Sequence, residues 1–480
     1  MMNSPRHTLL PLALGLLLSG CAIKRVEAPS PVTAPTQFKE TGVWQRAATD
    51  TVVPDPWWTL FKDPVLDDLE ARLVIGNENL KAAMAQLASA RATLEASRSA
   101  MFPTLATGLT ATRSGSPATV ISANAQTPSN NVALAANASW EVDLWGRLSQ
   151  ISSGAQSAVQ ASANDLAAAR LSAQALLTQT YFSMRTAEAQ QRLLARSVDA
   201  YRRSLDLTQA RYDSGVAARS DVLQAQIQLN SAQAQFSEAN AQRAQLEHAI
   251  AVLLGLAPAA LTIAPTGTLA ATLAVPVSLP ATLLERRPDI AAAQSRVAAA
   301  YAQIGVADAA FFPALILTAG AQYGQTSLAS LVNAPNLFWS VGSSLAQSIV
   351  DGGQRRLASA QARASADQAA AAYRQVVLTA LQEVEDNLVL ADQLQREVHS
   401  QQEALQYALR NLDITLAQYR AGTVSYLNVV LAQTAALNSE SSLLSVRNRQ
   451  LAAVNQLLKN IAGRWQDAND KHPIASDSGK

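Results

Sequence analysis

Residues able to do chemistry are few in this chain of 480 residues, and their spacing suits no reaction. The four histidines, His7, His248, His399 and His472, are scattered, and none falls in a metal-ligand spacing. Asp67-Asp68 and Glu383-Val384-Glu385-Asp386 are the carboxylate clusters, and both sit in helical pattern, where solvated faces rather than acid/base pairs are the default. No Gly-rich phosphate loop and no Gly-x-Ser-x-Gly elbow is present. Cys21 is the single cysteine, so no internal disulfide can form. A net charge of +1 leaves no electrostatic footprint for nucleic acid. The expectation is a protein without enzymatic activity, cofactor or metal, whose function lies in its architecture.

Two glycines organise that architecture. Gly215, in Tyr212-Asp213-Ser214-Gly215-Val216, separates Ala155–Ser214 from Val216–Leu254, two runs free of Gly and Pro. Gly422, in Tyr419-Arg420-Ala421-Gly422-Thr423, separates Gln354–Ala421 from Thr423–Ala462 in the same way. Glycine is the residue that lets a helix end and the chain reverse. The pattern predicts two long antiparallel helical hairpins, over 146–254 and 354–462. A run of roughly 60 residues reaches on the order of 90 Å, which suits a pillar or a tube rather than a globule. In the last helix Val430, Leu437, Leu444, Leu451 and Leu458 recur every seven residues, as in a coiled-coil seam.

Charged residues make up 15% of the chain, against about 25% in ordinary soluble domains. At the start, Arg6 and His7 precede an apolar stretch, Leu9–Leu18, too short to span a bilayer and suited to a signal peptide over 1–20. It ends in Leu18-Ser19-Gly20-Cys21, which resembles a bacterial lipobox; that resemblance implies cleavage before Cys21 and lipid on that cysteine. The alternative is a plain secretory peptide. Ala22, rather than an Asp, follows the cysteine, which favours the outer membrane as destination. Residues 21–55 hold Pro29, Pro31 and Pro35 and read as an extended tether. No later stretch is apolar for 18 or more residues, so any crossing of a membrane must be made by strands.

Period-two patterning supplies such strands. Val132, Leu134, Ala136, Ala138, Trp140, Val142 and Leu144 alternate with Asn137, Ser139, Glu141 and Asp143. Leu105, Thr107, Leu109 and Ala111 give a weaker run before them, and a polar connection fills 114–131. The predicted strands are about 103–113 and 132–144, either transmembrane or as a hairpin of a soluble sandwich. The pattern then repeats. Phe312-Pro313 stands 210 residues after Phe102-Pro103, and Gly422 stands 207 after Gly215. Leu315, Leu317, Tyr323, Trp339, Val341, Leu345 and Ile349 mark strands at about 313–324 and 337–349. An internal duplication follows: repeat 1 over 56–270, repeat 2 over 271–465, and a flexible tail over 466–480.

Four strands close no barrel, since bacterial outer-membrane barrels begin at eight. Copies must therefore pool their strands. The lipobox, Trp57-Trp58 with Phe61, Asn77-Glu78-Asn79-Leu80, Trp140-Glu141-Val142-Asp143-Leu144-Trp145-Gly146-Arg147, Arg287-Pro288-Asp289-Ile290 and both tips together resemble the NodT/OprM family of outer-membrane efflux lipoproteins, relatives of TolC. The resemblance covers roughly residues 1 to 465. It implies a mainly α fold with membrane β: a homotrimeric tube, a twelve-stranded β-barrel with four strands per chain, continuous with a long α-helical barrel in the periplasm. It implies an outer-membrane lipid environment and partners in a periplasmic adaptor and an inner-membrane pump of the resistance-nodulation-division class. The same tube could serve type I protein secretion; a lipid-anchored periplasmic adaptor, the rival of another class, would lack the duplicated unit and the lipid-facing strands.

The resemblance also implies site residues. The adaptor-docking tips are Gly215, Val216, Ala217 and Ser220, with Gly422, Thr423, Val424 and Ser425; the alternative is simple reversing turns. The periplasmic gate falls at Leu427, Asn428 and Leu431, where relatives often carry acids. Leu427 and Leu431 share one helix face, and either close a pore by dewetting or pack between helices. Tyr419 and Asp221 match a hydrogen-bonded lock of the closed state. An arginine that latches some relatives is Val424 here, which predicts a weaker lock.

Overall fold

The computed structural model describes residues 38–40, 56–115, 129–266, 287–327 and 337–461. The signal peptide, Cys21, most of the tether and the tail lie outside the described residues. After a 3-10 turn at Trp57–Phe61 come α1 (Pro64–Gly76), α2 (Glu78–Ser99), β1 (Thr104–Ser114) and β2 (Ser129–Val142). The first hairpin is α3 (Arg147–Asp213) and α4 (Arg219–Leu253). The second half holds α5 (Pro288–Ala309), β3 (Ala314–Gln325), β4 (Leu337–Ala346), and the hairpin α6 (Gln354–Ala421) with α7 (Tyr426–Ile461). Helices α3 and α6 have 67 and 68 residues. The first begins ahead of the glycine-free run and includes Gly154, where a Cβ would stand 3.4 Å from that of Ala302.

The chain forms two compact units. One gathers Gln86–Ala163 and Ala292–Arg374 around a four-stranded antiparallel sheet in the order β1-β2-β3-β4. Its register sorts the side chains by polarity. Rows such as Leu109–Leu134–Tyr323–Leu337 and Leu105–Ala138–Ala319–Val341 share one face, with Trp140, Leu317 and Trp339. Asn137, Gly320 and Ser340 share a row on the other face, as do Ser139, Thr318 and Gly342. The apolar face stands open: Leu105, Trp339, Val341 and Leu345 are all exposed. A Cβ on Gly320 would press on Asn137 Oδ1 at 3.2 Å, so the polar row is tightly spaced.

Both strand-to-helix junctions use one device, an aspartate that leaves the sheet to hold the start of a helix. Asp143 accepts from Leu148 N (2.9 Å), Ser149 N (2.8 Å) and Ser149 Oγ (2.6 Å). Asp351 accepts from Gly353 N (2.9 Å) and from Arg355 Nε (2.6 Å), which holds its carboxyl well below the usual range, at about 2. These caps end the strands sooner than alternation predicts. β2 stops at Val142 rather than 144, and β4 at Ala346 rather than 349, where Ile349 is 89% exposed. Two indoles tie the junction down: Trp140 Nε1 donates to Met101 O (2.8 Å) and Trp145 Nε1 to Pro313 O (2.7 Å), with Trp145 stacked on Phe312.

The other unit holds 38–40, 56–85, 164–266, 287–291 and 375–461 of the described residues. Its largest core packs Trp57, Phe61, Leu66, Leu69 and Leu73 against Leu177, Tyr181 and Phe182 of α3 and Leu457, Leu458 and Ile461 of α7. The heptad leucines of α7 are buried at Val430, Leu451 and Leu458 but only partly at Leu437 and Leu444, where Ala436 and Leu443 take the buried positions. A 3.6-residue helix drifts about 20° per heptad, so a strict seam does not stay inward along a straight helix.

Glu70 is fully buried in this unit. Thr178 Oγ1 donates to its Oε1 at 2.9 Å, while its Oε2 meets no donor. Burial pushes its carboxyl up to about 8, although Thr178 and Arg170 oppose the shift. The folded chain thus keeps a proton that the unfolded chain loses above pH about 4.5. Stability contributed at Glu70 is fully present below that pH and falls as pH rises to about 8, at up to about 1.4 kcal/mol per pH unit. Glu70→Gln removes this slope. Its thermal midpoint in detergent should exceed that of the unaltered protein by a margin that widens from pH 5 to pH 8; an equal margin at both pH values rules the protonated carboxyl out.

Candidate functional site: the hairpin tips

Each hairpin tip is a helix end closed by glycine. Gly215 (φ +74°) donates to Tyr212 O at 2.8 Å, and Val216 N to Arg211 O at 2.9 Å. Gly422 (φ +79°) donates to Tyr419 O at 3.0 Å, and Thr423 N to Gln418 O at 3.0 Å. Both are Schellman motifs, in which a left-handed residue lets the chain satisfy the last carbonyls of the helix. Around them Gly215, Val216, Ser220, Gly422, Thr423 and Ser425 are exposed and Ala217 is half-buried. Val424, also expected at the docking surface, turns partly inward. It is half-buried and packs inward against the cluster of Ala225, Tyr419, Tyr426, Val429 and Val430.

Within this chain the lock is not the expected Tyr419–Asp221 bond. The Tyr419 hydroxyl lies 3.2 Å from Thr208 Oγ1, which itself donates to Ser204 O (2.8 Å). Asp221 is placed in the first turn of α4, close enough to Tyr426 to help raise its phenol pKa, though burial is the main cause. Tyr419 has a further contact that comparison of the two repeats missed. Arg211 donates from Nη1 to Tyr419 O at 2.8 Å and lies 4.8 Å from the centre of the Tyr419 ring. A cation here stands at the C-terminal end of α6, where the helix dipole and the free carbonyls favour it. Arg211 therefore ties the first tip to the second. Its duplicate, Gln418, carries no charge, so the repeat pattern gave no hint of it.

Tyr426 is the second missed residue. It is 1% exposed, its ring lies 5.5 Å from that of Tyr419, and its hydroxyl has no partner. An orphaned buried hydroxyl costs about 1–3 kcal/mol, whereas a typical hydrogen bond contributes about 1 kcal/mol. The two tyrosines should respond with opposite signs. Tyr426→Phe tightens this packing of the tips and lowers the open probability in planar bilayers; Tyr419→Phe raises it. A shift of both variants in one direction contradicts this assignment.

Leu427 and Leu431 lie on the open side of α7 and are 58% and 61% exposed, while Val429 and Val430 on the opposite side are buried. Asn428 is exposed beside them, its amide 3.4 Å from Ser425 Oγ. No cluster of His, Cys, Asp or Glu among the described residues is placed to hold a metal ion.

The profile of the family described as "Outer membrane efflux protein" matches residues 72–256 and 279–463, one segment per repeat and most of the chain. The chain belongs to the outer membrane efflux protein family. Among its relatives is the pyoverdine export outer membrane protein OpmQ of Pseudomonas aeruginosa, 30% identical over 96% of this chain and 97% of the relative. Another is the solvent efflux pump outer membrane protein SrpC of Pseudomonas putida, 29% identical over 95% and 98%. Among solved structures, the outer-membrane channel OprN superposes with a TM-score of 0.84 at 28% identity, covering 92% of this chain and 99% of that one. The Campylobacter jejuni CmeC outer membrane channel shares the fold, with a TM-score of 0.85 over 93% of this chain and 96% of that one at 21% identity. The family places the chain in the outer membrane as an efflux channel of the TolC-like fold, with a duplicated helix–strand–strand–hairpin unit. It is a family of channel proteins, not of enzymes.

Proposed function

We propose that three copies of this chain form a continuous tube, and that the tube is the outer-membrane exit of a tripartite pump driven by an inner-membrane transporter of the resistance-nodulation-division class. One observation carries the reading: the sheet has two unpaired edges, β1 and β4, and an open apolar face. Unpaired edges are untenable in lipid, so the edges must pair between copies. Two copies supply eight strands, a barrel whose interior side chains fill it; three supply twelve and leave a lumen. The apolar face then meets lipid and the row of Asn137, Gly320 and Ser340 lines the passage. Lipid on Cys21 adds an anchor.

The tips are the end that docks a periplasmic adaptor, with Gly215, Val216, Ala217, Ser220, Gly422, Thr423 and Ser425 as its surface. The gate closes by dewetting, with Leu427 and Leu431 of three chains forming a ring that an open side of α7 supports. The cargo is small molecules rather than secreted proteins, a reading supported by relatives named for pyoverdine export and solvent efflux. Electron microscopy of detergent-purified protein tests the reading. Particles with three-fold symmetry and a closed strand ring support it; a monomer that stays soluble without detergent after removal of residues 1–21 overturns it.

A further inference from the structure

Charge is nearly absent from the strands and from the segments that join them. Over 104–141 and 314–350, Arg113 and Glu141 are the only charged residues. The register places them on opposite faces. Arg113 pairs with Asn130 on the apolar face, at the end of the sheet away from the helices. Glu141 pairs with Ile316 on the face of Ser139 and Asn137, at the helix end. Glu141 is in turn covered by one cation: Arg147 donates from Nε at 2.9 Å and from Nη2 at 2.7 Å, one bond to each carboxylate oxygen. Such a fork holds the guanidinium in register with the carboxylate.

We infer that the strand-lined passage is built to be electrically neutral, and that Arg147 is the specificity-determining residue that keeps it so by masking Glu141. The inference rests on the trimeric channel reading above. In that trimer the lumen carries three carboxylates in one ring, and without Arg147 they form the acidic ring by which other channels select cations. Masked, the ring discriminates against neither sign. The passage therefore suits neutral, cationic and anionic small molecules alike, and sorting by charge is left to the parts of the machine that load it. Asp143, the next carboxylate, is already committed to Leu148 N, Ser149 N and Ser149 Oγ, and is the same in every variant below.

The test is the reversal potential of purified trimers in planar bilayers under a KCl gradient. Arg147→Gln should move it toward the potassium equilibrium potential, and Glu141→Gln toward that of chloride. The double variant E141Q/R147Q should return it to that of the unaltered trimer. An unchanged reversal potential in Arg147→Gln trimers overturns the inference; if that variant does not assemble, an unchanged value in Glu141→Gln overturns it. A double variant that stays shifted also overturns it, because the shift then comes from distortion rather than charge. A trimer that passes no current even when Leu427→Ser and Leu431→Ser open the leucine ring defeats the channel reading itself, and this inference with it.

Discussion

Gly255→Ala should abolish stable outer-membrane trimers, whereas Gly215→Ala should leave them assembled. Both glycines have positive φ, +71° and +74°, and both close a helix with the same pair of backbone bonds. For either, alanine in the left-handed region costs about 1–2 kcal/mol. The surroundings separate them. A Cβ on Gly215 meets nothing within 4 Å, but one on Gly255 lies 2.1 Å from Gly76 O and 3.0 Å from its carbonyl carbon. The approach is mutual, since a Cβ on Gly76 lies 2.1 Å from Leu254 O. Backbone cannot swing aside as a flexible side chain does, and this backbone is pinned: Asn77 Nδ2 donates to Leu253 O at 2.7 Å while Asn77 Oδ1 accepts from Leu80 N at 3.0 Å. One alanine therefore has to part the end of α1 from the end of α4. Native-gel quantification of trimers extracted from membranes decides the matter. Comparable yields of the two variants would show that the crossing is looser than its geometry.

Gly255 also marks where reading along the chain stops being enough. The hairpins were legible because a helix needs only local regularity, and a Gly after an unbroken run is a local signal. The strands were legible because polarity alternates with period two, and the apolar and polar sets fall on separate faces of the observed sheet. Their ends were less so: Asp143 and Asp351 end β2 and β4 by bonding backbone groups beyond the strand, which alternation does not report. At the tips, Leu427, Asn428 and Leu431 fall on an exposed side of α7, but the partner of Tyr419 did not follow from motif positions. Thr208 lies 211 residues away on another helix, and only the packing of α3 against α6 brings its hydroxyl to the phenol. Tyr426 shows the same gap, since a phenol left without a partner is a property of what surrounds it. The close approach of Gly76 to Leu254 likewise joins two stretches with no shared pattern.

Glu188→Ala should cost about 3–5 kcal/mol and free the segment 261–266 from the first hairpin. Arg185 and Glu188 are 3% and 2% exposed, and the guanidinium bonds both carboxylate oxygens, at 3.0 and 2.9 Å. Arg185 Nη1 also holds Ala264 O (2.9 Å), and Glu188 Oε2 holds Thr266 N (3.2 Å). Arg243 joins Glu188 at 3.4 Å to Glu247 at 2.6 Å, and Glu247 accepts from Ile263 N (2.7 Å). Duplication does not predict this network: at an offset of 207, Arg185, Glu188, Arg243 and Glu247 become Asp392, Gln395, Gln450 and Val454. The network belongs to repeat 1 alone, where it fastens the chain as it leaves the first hairpin. Removing Glu188 leaves Arg185 as a buried, uncompensated cation, whose Nε and Nη2 already lack partners. The double variant R185M/E188L removes that charge with its acid, and should recover most of the loss. The readouts are the thermal midpoint in detergent and the rate of elastase cleavage near Ala264. If the single variant melts with the unaltered protein, or if the double variant is no better than the single, stability here comes from the apolar packing of α3 and not from the ion pair.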